Sequence, residues 1–355
     1  MRLPRLVRAV VRAVVPAALV AGLAAGAPTA RADGQVTIAL TPDGEQLASD
    51  LGLDPAELAQ RIDDRLTEMY DAANVDGFLR SFANATSFAS RGVGVDYAPL
   101  FHNAEIGFTA NLAAAVDGLD PDEDPAAGIA PNLALMAGLS FERWGHPELA
   151  LYGHGMHRGA SLDGLSGSIS NVGVHGQYHL FYPRADASSL LFLWSGIHLT
   201  AGVEYSRWSF SLGRSLSRDF EIAGDTASTS MTADATGTFD LSASSLTIPI
   251  ELTTSARIAY FAGIYAGVGV DFQTGKAKAN ATLNGTLTGT DPTNGSPVDV
   301  GTANVTMNGE SGPASVAYHI LLGAEANVWR LKAFVQATLI PIDGASVALG
   351  LRVRL

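Results

Sequence analysis

The chain has no cysteine. In an exported protein that excludes disulfide staples and thiolate metal sites, and it removes the cysteine nucleophile. Charge is scarce as well. Charged residues make up 16% of the chain while hydrophobic residues reach 47%, against a soluble norm of about 25% charged. The scarcer sign is positive, with 22 Lys and Arg against 35 Asp and Glu. That excludes the basic footprint a nucleic-acid partner needs. Past residue 32 no apolar run is long enough for a transmembrane helix, which takes about 18 residues or more. The apolar residues are therefore dispersed, and the way they are dispersed carries the reading.

The N-terminus reads as a secretory signal over residues 1–32. Arg2, Arg5, Arg8 and Arg12 form a basic front, VVPAALVAGLAAG an apolar middle, and Ala30-Arg31-Ala32 a small-residue cleavage site. The apolar stretch is short for a bilayer span and is broken by Pro16. Cleavage after Ala32 takes five arginines and no acid, leaving 17 bases against 35 acids from Asp33 onward.

Residues 33–103 differ from the rest. LDPAELAQRIDDRLTEMYDAA predicts a helix, with Asp54 as cap, Pro55 in the first turn and Glu57 three residues after the cap. Leu58, Ile62, Leu66 and Met69 or Tyr70 make its apolar face. The following stretch to Asn103 is rich in Gly, Ser, Asn and Phe and keeps no long period of either kind.

From Ala104 the chain alternates. Ile106, Phe108, Ala110, Leu112 and Val116 oppose Glu105, Thr109 and Asn111. Val172, Val174, Tyr178 and Leu180 oppose His175, Gln177 and His179. Five further stretches, ending in RLKAFVQATLI and ASVALGLRVRL, repeat the pattern. Side chains on a strand alternate between faces, so each stretch has one greasy and one polar face. Many exceed the five or six residues of an ordinary strand and reach the 9–11 or so of a tilted membrane strand. Trp144, Tyr182, Tyr205, Trp208 and Trp329 sit near strand ends, as interfacial girdles do. Lipid leaves no water for an open sheet edge, so spanning strands must close. The expectation is an all-β fold. It is an antiparallel transmembrane barrel over residues 104–355 of about 12 strands (roughly 10–14, even in number), preceded by a helical segment that is a candidate plug. The Thr-, Ser- and Asn-rich stretches of residues 224–240 and 280–310 could continue as strands beyond the membrane.

Two family resemblances follow from these residues. The chain ends on Val347, Leu349, Leu351, Val353 and Leu355 at alternate positions, and this resembles the C-terminal insertion signal of Gram-negative outer-membrane β-barrels. Leu355 stands where that family usually carries an aromatic. The resemblance implies the outer membrane as location, and its lipid and the barrel-insertion machinery as partners. Second, FLRSFANATSFASRGVGVDYAPLFHNAEIGF is similar to the hatch-to-first-strand region of the long-chain fatty acid transporter family, without that family's Asn-Pro-Ala motif. It implies passive uptake of hydrophobic molecules through a plugged barrel.

No catalytic site emerges. Ser166 lies in GLSGS, without the strand-to-helix setting of a nucleophile elbow. His146, His154 and His157 are close in sequence, but His154 and His157 would point to opposite faces of a strand, which favours imidazoles without a metal. DPDEDP at Asp120 to Pro125 mimics the start of a calcium loop but has Pro125 where glycine is required. No cofactor is expected. By parity the polar, lumen-facing side carries Glu105, Asn111, His175, His179, His198, Glu204, Arg257, His319, Glu325, Lys332 and Gln336. Such a lining can select solutes or pair across a filled lumen, and parity does not separate the two. The expected function is passive transport of small solutes. The alternative is a structural or adhesive surface barrel with a filled lumen.

Overall fold

The computed structural model describes residues 31–71, 74–98, 104–117, 126–181, 192–258, 261–341 and 344–355. The signal through Ala30, the acidic DPDEDP loop and Tyr182 lie outside the described residues. Among the described residues a single antiparallel sheet has twelve strands. No described helix is long and apolar enough to cross a membrane.

Ten strands close the ring. They are β2 (Ala104–Asp117), β3 (Ala126–Ser140), β4 (Leu149–Leu162), β5 (Leu165–Phe181), β6 (Phe192–Ala223), β7 (Ser228–Ile258), β8 (Ala262–Thr290), β10 (Val316–Val328), β11 (Leu331–Ile340) and β12 (Gly344–Arg354). The last strand pairs with the first of the ring, Val347 opposite Leu112 and Val353 opposite Ile106. The seam between β8 and β10 pairs Phe272 with Val316 and Ala262 with Ala326. Outside, Leu112, Val174, Val203, Val268, Leu322 and Leu349 are each 49–56% exposed. An apolar band this continuous faces lipid rather than water. The chain is an antiparallel β-barrel with an apolar outer band.

Three of the ring strands run on beyond the barrel. β6, β7 and β8 run for 32, 31 and 29 residues, or about 100 Å at roughly 3.3 Å per residue, several times a membrane span. β9 (Pro297–Ser311) continues the line of β10 along the outer half of β8. β1 (Arg31–Leu40) adds to β9, Leu40 opposite Gly301 and Arg31 opposite Glu310. Cleavage after Ala32 would leave Asp33 to Leu40 in this pairing. This five-stranded extension is a head, and two helices cover one of its faces.

Those helices are α1 (Pro42–Asp50) and α2 (Pro55–Asp71). Thr41 caps α1, its hydroxyl accepting from the Gly44 amide at 3.1 Å, and Pro42 opens the first turn. Leu47, Leu51, Leu53, Leu58 and Ile62 pack on Ile222, Met231, Leu287 and Val300 of the sheet. Gly44 allows the approach, since a Cβ there would lie 2.1 Å from the Val300 carbonyl oxygen. Helix α2 starts at Pro55, as its sequence predicts, and buries Leu58 and Ile62 of the predicted apolar face with Leu66 packed against the same cluster. Strand β1 and helix α1 did not emerge from the sequence reading, although Val36, Ile38 and Leu40 do alternate.

Candidate functional site: the plugged lumen

A third helix, α3 (Val75–Phe88), sits in the mouth of the barrel beneath the head. Asn74 caps it from the left-handed region, accepting from the Gly77 amide at 3.1 Å. Leu79, Phe82 and Ala83 pack on Leu241, Ala243, Ala277 and Ala279. One turn deeper, Ala85, Phe88 and Ala89 meet Ala113, Ala115, Ala130, Ala317 and Ile340. The wall is alanine-rich where the helix presses closest. Trp208 belongs to this packing. It points inward, its ring edge-on to Phe82 at 5.7 Å, and its Nε1 donates to the Pro131 carbonyl at 3.0 Å. The girdle position expected for Trp208 is therefore corrected. Its strand parity is that of buried Ser206 and Glu204, which puts it inside. Tyr205 and Trp329 are exposed, as a girdle requires.

From Ala89 to Ala98 the chain continues as an irregular thread through the lumen. Gly92 and Gly94 take φ of +74° and +87°, a region that favours glycine. Irregular backbone inside a barrel must find partners in the wall. Asn111 donates to the carbonyls of Ala89 and Arg91, both at 2.7 Å, and Gln177 to that of Asp96 at 3.0 Å. Val95, Tyr97 and Ala98 pack on Met136, Tyr152, Tyr265 and Leu321. At the far rim β2 begins, and the Leu355 amide donates to the Ala104 carbonyl at 2.9 Å. The head and the C-terminal rim are thus at opposite ends, and the chain passes from one to the other through its own barrel.

Two buried ionic clusters fasten the thread. In the first, Arg91 donates from Nη1 to Glu204 at 2.7 Å and from Nε to Asp271 at 2.9 Å. His175 lies 3.3 Å from Glu204. His319 sits between Asp271 at 3.2 Å and Glu251 at 3.3 Å, and Tyr97 donates to Glu251 at 2.7 Å. In the second, Asp96 accepts from Lys332 at 2.6 Å and from Arg352 at 3.0 Å. Lys332 is also 3.0 Å from Glu325 and donates to the Ala98 carbonyl at 2.9 Å. The Arg352 guanidinium lies over the Phe334 ring at 3.9 Å. On the outer wall at the foot of the head, above the lipid band, a hydrogen bond from Lys278 holds the Glu310 carboxyl below the usual carboxylate range, and the same bond raises Lys278.

Of the residues read as lumen-facing, Glu105, Asn111, His175, His179, His198, Glu204, His319, Glu325, Lys332 and Gln336 are all buried inside. Arg257 is half-buried near the C-terminal rim. Glu204, His175 and His319 gather around Arg91, while Lys332 and Glu325 gather near Asp96. Gln336 accepts from the Tyr265 hydroxyl at 3.3 Å. The rings of His179 and His198 stack 4.3 Å apart, nearly parallel at 7°. His154 is buried and His157 exposed, on opposite faces of β4. Ser166 is exposed at the start of β5. The terminal Val347, Leu349, Leu351, Val353 and Leu355 face outward into the lipid band. Sequence reasoning missed Arg91, Asp96 and Tyr97. The signal was there: Arg91 and Asp96 are the only charges in residues 81–104.

Among the described residues the wall has a weak line between β3 and β4. β3 pairs with β4 only over Leu135–Ser140, while Ala126–Ala134 is laddered to β2 alone. Side chains span the gap, with Asn171 donating to the Leu133 carbonyl and Trp208 to that of Pro131. Proline, which has no amide hydrogen, suits such an edge.

No curated protein sequence matches the chain. Solved structures similar to it include the translocator domain of the autotransporter NalP from Neisseria meningitidis, at 10% identity and a TM-score of 0.30, covering 76% of this chain and 93% of that one. The attachment protein Ail of Yersinia pestis aligns at 9% identity and a TM-score of 0.25, over 72% of this chain and 100% of that one. A Pseudomonas aeruginosa FadL homologue aligns at 10% identity and a TM-score of 0.24, over 78% of this chain and 99% of that one. At these scores the fold rests on the strand pairing described above. A family profile described as Lsa36-like matches residues 31–355, and the chain belongs to that family.

Proposed function

We propose that this protein is a surface barrel that stays closed and displays its head outward from the outer membrane of a Gram-negative bacterium. One observation carries the reading. Residues 75–98 fill the lumen and are tied to the wall by Arg91 and Asp96, whose partners are all buried. Breaking such pairs leaves bare charges in a dry interior, which is costly. A thread held in this way is an anchor more than a gate. The long strands β6–β9, β1 and the two covering helices are then the working part, and the protein acts by binding through them rather than by catalysis. Longer extracellular than periplasmic segments are the rule for such barrels, which favours the head as the outer end. Export would depend on the signal through Ala32, and insertion on recognition of Val347–Leu355 by the barrel-insertion machinery.

The second reading, passive passage of small hydrophobic solutes, is favoured by the line between β3 and β4, where the wall lacks a ladder over Ala126–Ala134. Proteoliposomes separate the two. The full mature chain should carry neither a small sugar nor a small aromatic across the bilayer above the rate of lipid alone. A version lacking Asp33 to Asn103 should show conductance steps in a planar bilayer, establishing that the ring is intact and that its own N-terminal segment closes it. Flux of the aromatic through the full chain would sink the closed-barrel reading in favour of transport.

A further inference from the structure

The outer wall changes character abruptly above the lipid band. Val172, Tyr205 and Leu246 lie side by side on β5, β6 and β7, all facing lipid. One pleat toward the head, the register brings His157, Ser170, Arg207, Ser244 and Lys276 into a single row across five adjacent strands. Arg207 and Lys276 are exposed, and His157 is 2.6 Å from the Ser170 hydroxyl. The next row holds Ser168, Ser209, Ser242 and Lys278. Ser168 and Ser209 hydroxyls are 2.7 Å apart. Facing these cations is Glu310 on β9, 2.6 Å from Lys278 and 3.8 Å from Lys276. Farther out, exposed Asp240 returns the surface to acid.

In a chain with 22 bases against 35 acids, three cations on one face within two rows are not background. Adjacent strands are about 4.8 Å apart, so Arg207 and Lys276 stand roughly 10 Å from one another. Their height is set by the lipid band directly beneath them. At that level the available anions are headgroup phosphates, and basic side chains at this depth recognise them. The interleaved serines supply hydroxyls for the sugar oxygens of a glycolipid. We propose that Arg207, Lys276 and Lys278, with the serines between them, form a site on the outer wall for the phosphorylated sugar headgroup of a membrane glycolipid. The site rests on the outward-facing head proposed above, which cysteine labelling tests separately, and holds whether the barrel is closed or transports.

The test uses the full mature chain in detergent, with bis-phosphorylated lipid A or its dephosphorylated form added and retention read by native mass spectrometry. The wild type should retain the phosphorylated lipid at least tenfold better, and 0.5 M NaCl should erase most of that preference, since exposed charges are screened. R207Q/K276Q/K278Q should lose the preference while keeping heat-modifiable migration on a gel. Should the triple variant fail to fold, R207Q alone is expected to cut the preference about fivefold. E310Q, which removes the competing carboxylate, should raise it. Equal retention of both lipids by the wild type, or an undiminished preference in a folded triple or R207Q variant, overturns the proposal.

Discussion

The carboxylate of Asp96, on the segment that threads the lumen, lies 2.6 Å from the Nζ of Lys332 on β11, and neither side chain is more than 1% exposed. Arg352 reaches the other oxygen of the same carboxylate at 3.0 Å. A single acid therefore bridges two wall cations, and removing it takes the ion pair from Arg352 and leaves Lys332 with Glu325 alone. Asp96→Ala is expected to cost about 3–5 kcal/mol, read as a lower temperature for loss of the folded gel band. Lys332→Met in the same background should cost less than its effect alone, because partners in one network are not additive. Additive losses would mean the pair is not coupled.

Arg91 plays the matching part nearer the head, held by Glu204 and Asp271. Arg91→Met keeps an unbranched apolar stem and deletes the charge. The thread then loses its upper fastening while Asp96 still holds the lower end. Brief conductance events in a planar bilayer are expected from this variant and absent from the wild type. A silent variant with an intact folded band would show that packing of Phe82 and Phe88, rather than the ion pairs, closes the pore.

The sequence was most legible where one physical rule acts alone. Alternation places Leu112 outside and Asn111 inside because a strand has only two faces. The thread was opaque for the opposite reason. Ser81, Asn84, Thr86 and Ser87 of α3 are buried along with Leu79 and Phe82, so the second half of the helix buries its polar positions too and lacks the polar face that marks a surface helix. The strand count shows a third case. The expectation of about 12 strands over residues 104–355 suits a barrel of uniform height, whereas β6, β7 and β8 run for 32, 31 and 29 residues through barrel and head together. The sheet accordingly has twelve strands while the ring closes with ten among the described residues. Tertiary pairing of β1 with β9, some 270 residues apart in sequence, has no local signature at all.

Gly94 should be intolerant of any side chain. Its φ is +87°, and a Cβ would fall 2.3 Å from Nδ1 of His154. Gly94→Ala thus combines backbone strain of about 1–3 kcal/mol with a clash against a ring on β4. Adding His154→Ala should relieve the clash and leave the strain, so the double variant is expected to be more stable than Gly94→Ala alone. If the double variant is worse than either single one, the thread does not approach β4 as described.

The head core is distinct from the barrel. Leu58 and Ile62 are fully buried between α2 and the extended sheet. Truncating either to alanine is expected to cost about 2–5 kcal/mol locally. Limited proteolysis should then cut within residues 41–71 at a protease concentration the wild type resists. The barrel's heat-modifiable migration should be unchanged. Loss of the folded barrel band in these variants would mean that the head and the ring fold as one cooperative unit.

The threaded path makes orientation testable with a single atom. The chain has no cysteine, so any introduced thiol is unique. Asp64 is exposed on α2 in the head, and Arg330 is exposed in the turn between β10 and β11 at the C-terminal rim. Asp64→Cys should react with a membrane-impermeant maleimide on intact cells, and Arg330→Cys only after the outer membrane is permeabilised. That result would mean that residues 31–71 reach the cell surface although β2, the first strand of the ring, starts at the opposite rim. The N-terminal segment must then cross with the barrel as it closes, since Arg91 and Asp96 are enclosed on every side by its wall. The reverse labelling pattern would place the head in the periplasm, and a role in surface binding would fall with it.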